Sequence, residues 1–296
     1  MKAYVFPGQG SQFPGMGKDL YEKSDIAKEL FRKANEVLGF DITNLMFEGT
    51  AEQLLQTKVT QPCIFIHSVI SVMADSANFT PDAVAGHSLG EFSALTAAGA
   101  LTLADGLSLV AKRAAAMQKC CETQKGSMAA VLGLDDAVIE QICAQTTQEG
   151  DVVVAANYNC IGQIVISGSE QGVDKASQKL EEAGAKRVVK LAVSGAFHSP
   201  LMQPAQQELQ QAIDNTIFTT PKCPVYQNVD AMPHTNPDEI KQNLIKQLTS
   251  PVRWTKTIQN MVGAGINEVI ECGPGSVLQG LMRKIDRNVN SSHFGA

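Results

Sequence analysis

No stretch of the 296-residue chain approaches the ~18 uninterrupted apolar residues of a membrane span. The opening MKAYVFPGQG has one lysine and an apolar run broken at Pro7, too short for the apolar region of a secretory signal. Cysteines are present but without a pairing pattern. Seven lie at positions 63, 120, 121, 143, 160, 223 and 272, an odd number with no C-x-x-C among them. A chain of this size needs no staples, so reduced thiols in a cytoplasmic protein are expected, with no metal framework. A basic excess is missing too. Lys and Arg total 24 against 30 Asp and Glu, a net charge of -6. That argues against nucleic acid or an anionic membrane as partner of the whole chain. There is no internal repeat and no low-complexity tract. GQGSQ (Gly8 to Gln12) follows a strand-like segment but lacks both G-x-G-x-x-G and a G-K-[ST] ending, and GPGSVLQG near the C-terminus fails likewise. No nucleotide or other cofactor is therefore expected.

What is present is a core. Hydrophobic residues make up 44% of the chain and charged residues 18%, typical of one large or two ordinary globular domains. Lys2 to Phe6 reads as a buried strand. Residues 19–38 read as one helix, with Leu20, Ile26, Ala27, Leu30, Ala34 and Val37–Leu38 at helical spacings. TQPCIFIHSVISVMADSA reads as an apolar helix with Pro62 in its first turn. A strand over 82–85, a helix over 90–98 stopping at Gly99, and a helix from Leu103 to Lys119 follow. From Gly126 the pattern changes to β-α-β-β-α-β, ending in the strand KRVVKLAV, which is the ferredoxin-like order. The flanking segments read as one interrupted α/β unit. Residues 1–123 and 195–296 are thus expected to form a large catalytic domain, and 124–194 an inserted small one.

The chemistry concentrates in VAGHSLGEF (Val84 to Phe92). Gly86-His87-Ser88-Leu89-Gly90 fits G-x-S-x-G, with a strand before it and a helix after it. In a nucleophile elbow the serine sits on that strained turn, and the helix N-terminus offers backbone N–H groups to a developing oxyanion. The alternative is an inert helix-capping serine.

A nucleophilic serine needs a base. His67 lies within an apolar helix and reads as structural. His87 adjoins the serine, where a sharp bend points its side chain elsewhere. His234 is in a polar loop and His293 in the tail NSSHFGA. His198 stands at a strand end before Ser199-Pro200, a natural N-cap and N1 pair, and is the candidate base. No acid between Ser88 and His198 stands out at a strand end. A substrate with its own carboxylate would be repelled by a buried aspartate beside the serine. Arg113 flanks the stripe Leu103, Leu107, Val110, Ala114 and Met117, where a guanidinium could pair with a carboxylate. The pattern alone favours a snorkelling surface arginine.

VFPGQGSQ, GHSLGEFSAL, SGAFHSPLM, QLTSPVRW and ECGPGSVLQGL together, in this order across the whole chain, resemble the malonyl-CoA:acyl carrier protein transacylases. Acyltransferases of polyketide synthases share these motifs. The resemblance implies an α/β-hydrolase-like core with a mainly parallel sheet and an inserted ferredoxin-like subdomain. It implies Ser88 as the acyl-carrying nucleophile, His198 as base and then acid, and Arg113 as the partner of the malonyl carboxylate. Gln9 and Leu89 would supply the oxyanion-binding N–H groups, and the main-chain carbonyl of Gln247 would orient His198. A ping-pong transfer from malonyl-CoA to acyl carrier protein follows, by a monomer. Gly195-Ala196 ahead of Phe197-His198 resembles the malonyl type. Lys186, Arg187 and Lys190, or Arg283, Lys284 and Arg287, are candidates for a basic surface facing an acidic carrier, though solvated faces are the plainer reading. The absence of a linker to another module favours a discrete component of fatty acid synthesis. The competing readings are a serine esterase or thioesterase on the same elbow, a polyketide-pathway acyltransferase of other selectivity, and a non-catalytic binding domain.

Overall fold

Lys2–Phe6 already shows how the molecule is layered. Its side chains alternate between two cores: Tyr4 and Phe6 face one, Ala3 and Val5 the other. A strand buried on both faces belongs to the interior of a parallel sheet. The computed structural model describes residues 1–193 and 195–295. Ser194, which closes the expected inserted unit and opens SGAFHSPLM, lies outside them, as does Ala296, the expected end of the large unit.

The strands are β1 (Lys2–Phe6), β2 (Ala83–Gly86), β3 (Gly126–Leu132), β4 (Val153–Cys160), β5 (Gln163–Ser169), β6 (Arg187–Lys190), β7 (Val225–Tyr226), β8 (Pro233–His234), β9 (Glu268–Glu271) and β10 (Asn290–His293). The helices are α1 (Lys18–Lys23), α2 (Asp25–Leu38), α3 (Ile42–Glu48), α4 (Ala51–Leu55), α5 (Thr57–Ala74), α6 (Gly90–Ala97), α7 (Leu103–Thr123), α8 (Asp136–Gln148), α9 (Glu170–Glu182), α10 (Gln203–Asp214), α11 (Pro237–Gln247), α12 (Trp254–Gly263) and α13 (Val277–Ile285). The larger sheet runs β10-β9-β1-β2-β7-β8, parallel except for the short antiparallel β7–β8 pair. One face packs on α2, α5, α6 and α7, the other on Trp254, Ile258 and Met261 of α12 and Leu278 and Met282 of α13. The smaller sheet runs β4-β5-β3-β6, antiparallel throughout. Ala129 and Val131 of β3 face α8 and α9, while Met128 points the other way, toward the cleft described below. This is a mixed α/β fold in which a mainly parallel core carries an inserted ferredoxin-like sheet.

Several sequence expectations need correction. Residues 19–38 form two helices. Ser24 leaves helical geometry (φ −136°), ends α1 and caps α2 by accepting the Ala27 N–H. Ile26, expected in the apolar stripe, is consequently 59% exposed. α5 begins at Thr57, so Pro62 lies inside the helix and leaves the carbonyl of exposed Lys58 without a helical donor. The 103–119 helix continues to Thr123. β6 stops at Lys190; the Leu191 N–H still donates to the Met128 carbonyl of β3 (2.9 Å), and Leu191 and Val193 line the cleft. The tail NSSHFGA is no tail. Asn290–His293 is an edge strand parallel to β9, anchored by Phe294 edge-on to Tyr4 and Phe79.

The two sheets are joined by backbone as well as side chains. The Tyr158 N–H donates to the Val252 carbonyl (2.9 Å), and the Val252 N–H to the Ala156 carbonyl (2.8 Å). The Thr255 hydroxyl adds a bond to the Tyr158 carbonyl (3.0 Å). β4 is irregular in this same stretch, with register shifts at 155–157 and 158–160. A bulge turns backbone groups away from the ladder, and here residue 252 takes them up.

Candidate active site

β1 and β2 are parallel neighbours, with Phe6 opposite Gly86, so the loops leaving their C-terminal ends lie side by side. The His87 N–H donates to the Phe6 carbonyl (2.9 Å). The approach admits only glycine at three places. A Cβ on Gly8 would come within 2.5 Å of the His87 oxygen, one on Gly90 within 2.0 Å of the Phe6 oxygen, and one on Gly86 within 1.9 Å of the Gly90 carbon. Squeezed between, Ser88 takes φ 53°, left-handed backbone that costs a non-glycine residue on the order of 1 kcal/mol or more.

His198 is also left-handed, at φ 57°, and is fully enclosed. Its Nε2 lies 2.8 Å from Ser88 Oγ. Its Nδ1 faces two carbonyls, those of Gln247 (3.0 Å) and Ser250 (3.2 Å). Two acceptors at Nδ1 fix the proton there and leave Nε2 to accept the serine hydroxyl. Burial and then the nearby Arg113 charge pull His198 down to about 3, against the lifting effect of the carbonyls. The ring is therefore neutral at pH 7, the state a base requires.

Arg113 is not a surface residue. It is 1% exposed and projects from α7 to the serine. Nη1 donates to Gln61 Oε1 (2.8 Å), and Nη2 to Ser88 Oγ (3.0 Å) and Gln247 Oε1 (3.1 Å). Nε is buried and without an acceptor among the described residues. Burial lowers the guanidinium only to about 10, so it stays charged at neutral pH. Its contacts are all with neutral groups, so among the described residues no carboxylate of the protein pairs with the guanidinium.

The Ser88 N–H is occupied, donating to Asn228 Oδ1 (2.7 Å). The N–H groups of Leu89 and Gln9 have no acceptor among the described residues, and both residues line the cleft with Ser88, Arg113 and His198. The cleft holds about 150 Å³, the space of roughly five waters. Met128, Asn157 and Val165 of the smaller sheet close its far wall. All six residues expected at the site, Gln9, Ser88, Leu89, Arg113, His198 and Gln247, converge here. His87 also lines the cleft but its ring does not meet Ser88: its Nε2 meets Asn159 Oδ1 (2.8 Å) and its ring packs on Trp254. His234 pairs with Asp230 and Glu239, and His293 Nε2 with the Gly273 carbonyl.

Sequence reasoning missed four contributors. Gln61 and Ser250 touch Arg113 and His198 as given above. Asn228 grips the elbow from both sides, since its Nδ2 also donates to the Gly86 carbonyl (2.7 Å). Glu91, three residues past the serine, is a carboxylate 1% exposed. It accepts from Gln227 Nε2 (2.9 Å), the Asn228 N–H (2.9 Å) and Gln247 Nε2 (3.1 Å). Burial outweighs those donors and Arg113, raising it to about 7. The signal was available: Glu91 is the one charged residue of α6, in a segment otherwise apolar or small.

Residues 3–292 match the acyl transferase domain family. The malonyl CoA-acyl carrier protein transacylase of Bacillus subtilis is 45% identical over 98% of this chain and 92% of its own length. The crystal structure of the acyl-carrier-protein-S-malonyltransferase of Bartonella henselae superposes with a TM-score of 0.96 at 39% identity, covering 100% of this chain and 95% of that one. A type II polyketide synthase acyl carrier protein has been solved in complex with its malonyl-transacylase. The matched chain there gives a TM-score of 0.93 at 37% identity, covering 99% of this chain and 94% of that one. A whole-length match of this kind, with a serine elbow met by a carbonyl-oriented histidine, leaves one conclusion: the chain belongs to the acyl transferase family.

Proposed function

We propose that this protein transfers a malonyl group from malonyl-CoA to the phosphopantetheine thiol of an acyl carrier protein, through an ester on Ser88. The observation that carries the substrate choice is Arg113, buried, charged and, among the described residues, unpaired with any carboxylate, 3.0 Å from the serine oxygen. A malonyl carboxylate would complete it with two parallel bonds. An acetyl group would leave those donors buried and unmatched, which costs transition-state binding.

The geometry supports the following steps. Ser88 Oγ attacks the thioester carbonyl while its proton passes to His198 Nε2. The carbonyls of Gln247 and Ser250 stabilise the imidazolium that forms. They replace the usual acid without adding a negative charge beside an anionic substrate. Leu89 and Gln9 N–H groups bind the oxyanion. The tetrahedral species collapses, the C–S bond breaks, and the coenzyme A sulfur leaves with the proton from His198. The carrier thiol then gives its proton to His198, attacks the ester and releases Ser88 by the reverse sequence. Residues 124–194 would act as a small domain closing the cleft over the acyl group. We read the protein as a cytoplasmic monomer. Seven free, buried thiols support the compartment.

Intact-protein mass spectrometry tests this. Malonyl-CoA should add one malonyl group to the wild type and none to Ser88→Ala, and holo carrier protein should remove it as malonyl-carrier. Hydrolysis without transfer would point to an esterase, and absence of the adduct would rule out the mechanism.

A further inference from the structure

Arg113 is a buried cation with no ion pair among the described residues, yet a carboxylate lies one side chain away. The Gln247 amide stands between them. Its Oε1 accepts from Arg113 Nη2 (3.1 Å), and its Nε2 donates to Glu91 Oε2 (3.1 Å) and to the Ser88 carbonyl (3.0 Å). A direct Arg–Glu pair would use the donors a substrate needs. With the neutral Gln247 amide between them, Glu91 balances the Arg113 charge from a distance, and the amide oxygen takes only one Nη2 hydrogen. Glu91 also holds the two residues that hold the catalytic pair. Asn228 grips Ser88 N–H and the Gly86 carbonyl, and Gln247 carries the carbonyl facing His198.

We propose that Glu91 is a positioning residue of the transfer reaction. As a carboxylate it balances Arg113 through the Gln247 side chain and clamps Asn228 and Gln247 against the elbow. This rests on the reading that Ser88 is acylated by malonyl thioesters. The three bonds to Glu91 are all donated to it, so protonation removes the charge that strengthens each of them. The charged group facing it is Arg113 from α7. α11 and the segment after β7 present only the amides of Gln247, Gln227 and Asn228, and His198 lies beyond Gln247. Burial places the Glu91 titration at about 7, and His198 stays neutral down to about 3. Acylation should therefore fall as pH drops through 7, when Glu91 takes up its proton.

The test is the rate of acyl-Ser88 formation from the malonyl thioester of N-acetylcysteamine, a probe without titrating phosphates, between pH 5.5 and 9. The wild type should show the acid limb. Glu91→Gln should be at least tenfold slower at pH 8 and lack the limb, and Glu91→Asp should keep the limb and recover part of the rate. A Glu91→Gln enzyme with the wild-type rate overturns the proposal. So does a slow one that keeps the limb, because the residue would then be structural only. If Glu91→Gln does not fold, the wild-type profile decides: a limb near pH 7 supports the role, and a flat profile sinks it. A wild type that forms no acyl-Ser88 removes the functional reading itself, and this inference with it.

Discussion

At the scale of single residues, the site is defined by charge that is withheld as much as by charge that is present. His198 leans on carbonyls, and Arg113 on amides and a hydroxyl. Arg113→Ala should slow malonyl loading roughly 100-fold, the scale of losing charge-assisted bonds in a dry site, while raising acetyl loading relative to malonyl. Competition between the two thioesters, read by mass spectrometry, checks it, and an unchanged malonyl preference would refute the carboxylate role. Legibility at this scale was uneven. Ser88 sits in a five-residue pattern with its strand and helix beside it, and His198 next to a capped helix start. Arg113 was ambiguous because helical spacing gives a residue's direction on its own helix, and not what covers that direction. Only α5 and α11, which bring Gln61 and Gln247, make it interior. Glu91 is harder to read, because the hydrolase order of serine, acid and histidine points to an acid at a strand end and not inside the helix that follows the serine.

At the scale of elements, the elbow is a packing problem solved by glycine. Gly90→Ala would drive a methyl group into the Phe6 carbonyl at 2.0 Å, backbone that cannot rotate aside. It should destabilise the fold by roughly 3 kcal/mol or more and abolish acylation. Urea unfolding and mass spectrometry together check this, and near-normal stability would show that β1 can give way. The expected element types were mostly right because apolar periodicity reports the face an element buries. Boundaries failed where one residue's hydrogen bonding overrode the pattern. Ser24 breaks an otherwise continuous helical stripe by capping the second half. β10 was missed because a polar segment at a sheet edge has no alternating hydrophobicity to show, only backbone to pair.

At the scale of the whole molecule, all seven thiols are free and buried. Burial raises Cys63 and Cys143 to about 12 and Cys121 and Cys223 to about 11, so little reactive thiolate exists at ordinary pH. Iodoacetamide at pH 8 should leave the folded protein unmodified and add seven groups in urea. Rapid labelling of the native protein would mean the cores open far more often than their packing allows. The ferredoxin-like order was readable because β-α-β-β-α-β is a local pattern. The way the two sheets meet was not, since it depends on residues about a hundred apart.

That meeting bears on anyone recombining these enzymes. The bulged stretch of β4 bonds to Val252 and Thr255, a few residues past the carbonyls of Gln247 and Ser250 that face His198. A cassette cut at the visible pattern change, near residues 124 and 194, would therefore carry one half of a joint and leave the other behind. A chimaera that exchanges 247–255 along with the small sheet keeps the joint whole, so the natural crossover points are set by hydrogen bonds across the cleft and not by where the chain enters and leaves it.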